Sequence, residues 1–115
     1  MVVFDKAEEL IDYTITITDN HKYFAKKRRF TFVDRMQNLA IDIYDNLLRT
    51  NEAPKKQIEQ RRSFQLKALS DIKVLQFLVE LSCSRGFIDE RQLGIWSKKI
   101  SDVKNLTAAW YKKTI

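Results

Sequence analysis

The chain has 115 residues, 44% hydrophobic and 31% charged, with a net charge of +6 and a pI near 9.5. That size suits one domain with a modest core, and the composition excludes a disordered chain. Two glycines and one proline are too few for the turns of a sandwich or barrel, and the lone Cys83 excludes an intrachain disulfide, so a reducing cytoplasm is the expected setting.

The opening MVVFDKAEELIDYT carries acids early and lacks the charged-then-apolar pattern of an export signal. Phe4, Ala7, Leu10, Ile11 and Ile15 recur near a 3.6 period, which predicts a first helix over about 4–18. Its tail, YTITIT, alternates and leans towards strand by local propensity, but no partner strand is apparent elsewhere. DNHKYFAKKRR then reads as a connection. Thr31 with Asp34 predicts an N-cap and an acid in the first turn of a second helix over about 32–50. Val33, Met36, Leu39, Ala40, Ile43, Leu47 and Leu48 form its apolar stripe.

TNEAP ends that helix, and Pro54 suits the first turn of a third, over about 55–84. This one opens polar and becomes apolar nearly all round at Val74, Leu75, Phe77, Leu78, Val79 and Leu81. One buried face does not need all six, so the helix is either central in a bundle or meets another subunit. Gly86 suits the left-handed residue that stops it, and Asp89 with Gln92 has capping-box spacing for a fourth helix over about 90–113. There Leu93, Trp96, Ile100, Val103, Thr107 and Trp110 alternate steps of three and four, a bundle seam. The predicted fold is all-α, an antiparallel up-down four-helix bundle. No apolar run approaches the 18 or so residues that span a membrane.

Catalytic constellations are missing from the sequence. His21 is the sole histidine and has no neighbouring His or Cys, so neither a metal site nor an acid–base pair is expected there. Cys83, in the last turn of the most apolar helix, reads as a buried, inert thiol. No Glu-x-x-His pair or Gly-rich phosphate loop occurs, and Asp42 and Asp45 read as solvated charges on the second helix. No enzyme activity, cofactor or small-molecule substrate is expected.

The cations are organised. Lys26, Lys27, Arg28 and Arg29 stand together between Tyr23, Phe24, Phe30 and Phe32. Arg91, Lys98 and Lys112 recur at multiples of seven, flanked by Lys99 and Lys113; Lys55, Arg62 and Lys73 fall in one helical sector, with Arg61 beside them. Such faces suit sequence-independent binding of a phosphate backbone. A charged bundle exterior diluted by Glu59, Asp71, Glu90 and Asp102 is the competing reading. The aromatics could stack on bases; alternatively, Phe30 and Phe32 plug the bundle end and turn the cations outward.

KYFAKKRRFTFVDRMQNLAIDIYDNLLRTNEA and RRSFQLKALSDIKVLQFLVELSCSRGFIDERQLGIWSKKISDVKNLTAAWYK together resemble the Avd-like four-helix-bundle proteins. These are accessory variability determinants of diversity-generating retroelements and bundle proteins encoded by intervening sequences in bacterial 23S rRNA genes. The resemblance covers about residues 22–113. It rests on the aromatic and basic run ending in Arg29-Phe30, the R-x-x-x-x-A start from Arg35 to Ala40, the long leucine-bearing third helix, the Gly turn, Gly94-x-Trp96 and an aromatic, basic tail. It implies a non-enzymatic, ring-shaped homopentamer that binds RNA or DNA and a reverse transcriptase and supports mutagenic cDNA synthesis. Lys26 to Arg29 would then lie on a basic exterior.

Overall fold

The apolar spacing becomes four helices and no strand in the computed structural model, which describes residues 1–115: α1 (Val2–Thr18), α2 (Asp34–Glu52), α3 (Ile58–Ser84) and α4 (Glu90–Lys113). The Thr-rich end of α1 is helical because it is buried. Thr14, Ile17 and Thr18 face inward, and the Thr18 hydroxyl donates to the Thr14 carbonyl at 2.6 Å. The Thr14 hydroxyl in turn accepts the indole N–H of Trp96 at 3.0 Å. Tertiary burial thus overrides the β-branched preference.

The start of α2 differs from expectation. A 3₁₀ turn (Lys26–Arg28) and a π turn (Arg29–Val33) lead into it without a break, and Thr31 is exposed within the π turn instead of capping. The N–H of Asp34 donates to the Arg29 carbonyl, so the preceding turn satisfies a group that a side-chain cap would otherwise serve. The start of α3 also moves. Gln57 N–H donates to the Pro54 carbonyl at 2.9 Å, closing a turn that holds Lys55 off the helix. Lys55 therefore drops out of the expected helical sector, while Arg62 and Lys73, eleven residues apart within α3, still share it.

Beyond α3, Gly86 has φ +80° and Phe87 N–H donates back to the Ser82 carbonyl at 2.9 Å. The capping box forms as read: Asp89 accepts from Gln92 N–H at 2.8 Å, and Gln92 Oε1 accepts from Asp89 N–H at 2.9 Å.

The helices form a four-helix bundle in which α1 packs on α2 and α4, and α3 packs on α2 and α4. Leu10, Met36, Ile43, Leu47, Ile72, Leu75, Val79, Trp96, Ile100 and Val103 are buried between them. Each such side chain contributes roughly 1.5–3 kcal/mol of apolar burial. The bundle absorbs only part of the apolar stretch in α3. Leu75 and Val79 are core, and Leu78 and Leu81 are half-buried, but Val74 and Phe77 remain 38% and 59% exposed. No helix is long and apolar enough to cross a membrane.

Candidate nucleic-acid interface

Aromatic packing positions the cationic run. Phe24 and Phe32 are buried and meet Phe87 edge-on, with ring centroids 5.7 and 5.1 Å away, which fastens the α1–α2 connection to the α3–α4 turn. Phe30 does not join this plug; it is 82% exposed on the outside of the π turn. The Arg28 guanidinium lies 4.8 Å over the Phe87 ring, and Arg29 Nε is 3.7 Å from the Asp34 carboxylate. Lys26 and Lys27 are exposed and form no ion pair. A small cleft of about 190 Å³ beside them mixes signs, with Asp19 and Asp34 facing Lys26, Arg29 and the exposed His21.

Arg91 stands near the same end. Burial raises the Tyr13 phenol above its ordinary value, and the Arg91 charge partly offsets that. Arg85, which the sequence reading left out, is exposed just after α3. Its position next to the Gly86 turn was the available signal.

The opposite end gathers a second cluster. Lys55, Arg61 and Lys113 share one hollow with Trp110, and Lys56 and Lys112 are exposed beside it in sequence. Arg61 and Arg62 also have internal partners. Arg61 donates to the Ala53 carbonyl at 2.8 Å, holding the α2–α3 connection. Arg62 donates to the Thr114 carbonyl at 2.7 Å and lies 4.0 Å over the Tyr111 ring, fastening the C-terminal end of α4. A guanidinium has five N–H donors, so both retain some for outside acceptors.

Between the ends the cations are more often matched. Lys98 is bonded to Asp102, and that hydrogen bond holds the Asp102 carboxyl below its usual range. Lys99 lies 5.6 Å from the Tyr13 ring centroid. Lys73 lines the α3–α4 groove with Glu80 and Lys104, a cation the sequence reading did not single out because it borders the Val103 seam. On the other side, α1 and α2 together hold eight acids against Lys6, Arg35 and Arg49, a net charge of −5, so the rest of the chain carries +11 and the whole +6.

The remaining candidates sort simply. Trp96 is fully buried and Trp110 half-buried, so both belong chiefly to the bundle. No three His, Cys, Asp or Glu side chains come together in a metal-binding arrangement. Cys83 is partly exposed, where a buried thiol was expected, because it sits at the edge of the core near the end of α3. Comparison with family models, curated proteins and solved structures gives no match to this chain.

Proposed function

We propose that the chain is a non-enzymatic accessory protein of a diversity-generating retroelement. In this reading it is a cytoplasmic, antiparallel up-down bundle that associates with copies of itself, as a homopentamer in the Avd-like family it resembles. It holds RNA or DNA together with the reverse transcriptase during mutagenic cDNA synthesis. Phe4 beside Tyr44 and Thr18 beside Gln37 support opposite directions for α1 and α2.

The observation that carries the nucleic-acid part is the run at one end of the bundle. Lys26 and Lys27 are exposed and form no ion pair, Arg28 and Arg29 stand beside them, and an aromatic plug holds their backbone in place. Cations so placed displace counterions from phosphates without reading bases.

The test is a salt titration of binding to structured RNA and to duplex DNA. It compares the wild type with a variant in which Lys26, Lys27, Arg28 and Arg29 are all changed to Ala. Affinity should fall steeply with salt for the wild type. At about 0.9 per phosphate on duplex DNA, losing two to four contacts should make the variant's slope shallower by roughly 2–4. Absence of binding by either protein at low salt would replace this reading with a protein-only helical adaptor. Salt-dependent binding without affinity for a reverse transcriptase would favour the bundle proteins of rRNA intervening sequences.

A further inference from the structure

Two apolar strips on the outside of the bundle lie on opposite sides of it. On α2, Gln37, Ile41, Tyr44 and Leu48 follow one helical line at steps of four, three and four. Gln37 donates to the Thr18 hydroxyl at 2.9 Å and Tyr44 meets Phe4 edge-on at 5.7 Å, so the line runs beside α1. Ile41 nevertheless stays 46% exposed and Leu48 37%. Half-buried Ile11 and Ile15 of α1 share the helical side of Phe4 and extend the strip.

On α3, the inward seam is Gln65, Ala68, Ile72, Leu75, Val79 and Ser82, all buried. Leu66, Val74, Phe77 and Leu81 recur on roughly the opposite side of the same helix. Leu66, Val74 and Phe77 are exposed, and Phe77 borders a groove between α3 and α4 of about 440 Å³. Single exposed apolar residues are ordinary, whereas an aligned set along a helix is the pattern of an interaction face. The first strip lies on the α1 side of α2 and the second borders the α4 side of α3, so across the bundle the two face away from one another.

Their borders carry opposite charge. Exposed Glu8 and Asp12 flank the α1–α2 strip, and Asp45 beside it is paired with Arg49 at 3.1 Å. Lys67, Lys73 and Lys104 flank the α3 strip against two acids, Glu59 beside Leu66 and Glu80 in the groove, so its border is positive on balance.

We infer that the α1–α2 strip of one copy docks against the α3 strip of the next. This deepens the self-association in the functional reading and is independent of nucleic-acid binding. The two strips differ in composition, so the contact is head-to-tail: it repeats from copy to copy until it closes as a ring or continues as a filament. A bundle side of 48 by 24 Å has room for the roughly 800 Å² per partner of a stable interface. Opposite borders steer the correct faces together and set like charges against the incorrect pairings.

The test is sedimentation velocity on the full chain as wild type, Ile41→Glu, Phe77→Glu and an equimolar mixture of the two variants. Both positions are exposed, and far-UV circular dichroism confirms that the variants keep their helices. Wild type should sediment as an oligomer and each variant alone as a single chain. The mixture should form a species of two chains, because the intact α1–α2 strip of Phe77→Glu can dock on the intact α3 strip of Ile41→Glu. A monomeric wild type overturns the inference. So does a mixture that stays monomeric, or an oligomer lost in only one variant, which marks a contact using one face twice. RNA binding by the same proteins separates the two readings: an oligomer without RNA affinity removes the nucleic-acid role alone, and RNA affinity on a monomer removes this interface alone.

Discussion

The buried indole of Trp96 shows how one side chain decides a local conformation. Its N–H has a single protein acceptor, the hydroxyl of Thr14, 82 positions earlier in the chain. Changing Thr14 to Val keeps the shape but leaves that donor unpaired in a dry core, which should destabilise the protein by about 1–3 kcal/mol. Thr14→Ser retains the hydroxyl and should recover most of the loss. Urea unfolding followed by tryptophan fluorescence measures both; a Val variant as stable as wild type would show that the hydrogen bond adds nothing. The sequence displayed YTITIT as a strand-like patch on a helix but not its reason, because the partner is remote. Arg61 and Arg62 were hidden in the same way. Their charges were visible, but their bonds to the Ala53 and Thr114 carbonyls depend on which chain ends meet.

At the level of elements, the α2–α3 seam contains a strained charge. Asn46 Nδ2 donates to Asp71 at 3.3 Å, but burial and then the nearby Asp42 carboxylate raise the Asp71 pKa above its ordinary value. An acid raised in the folded state holds its proton more tightly there than in the unfolded chain. Stability therefore falls as pH rises from the ordinary aspartate range through the raised value, and the penalty is complete at neutrality. Asp71→Asn, which can still accept from Asn46, should stabilise the protein near pH 7. That gain should vanish at roughly pH 3, where both states are largely protonated. Thermal unfolding across this range checks the sign, and a gain that persists in acid would trace to packing and not to charge. The helices themselves were legible because apolar periodicity records which face is buried. Their starts were less so: residues 32 and 55 became 34 and 58 through a π turn and a proline turn, which are hydrogen-bond patterns and not compositions.

Across the whole molecule, charge follows the ends of the bundle more than the faces of its helices. The sequence showed how many cations there are but not that Lys55, Arg61 and Lys113 meet, since that grouping needs the helix ends to be matched in space. The Lys26–Arg29 run occupies the other end, by the α3–α4 turn, and the longest dimension of the molecule is 48 Å. A duplex lying along the bundle reaches both clusters only when it spans that distance, roughly 14 base pairs at about 3.4 Å per step. Affinity should therefore step upward, and its salt dependence steepen, as duplex length passes that value. Replacing Lys55, Lys56, Lys112 and Lys113 with Ala should remove the step while short duplexes still bind, now at the Lys26–Arg29 end alone. Fluorescence anisotropy over a series from about 8 to about 20 base pairs reads this directly. A smooth rise with length, or a step that survives the four substitutions, would mean that the two ends do not act on one duplex, and the intervening Lys98–Lys99 surface of α4 would become the expected contact.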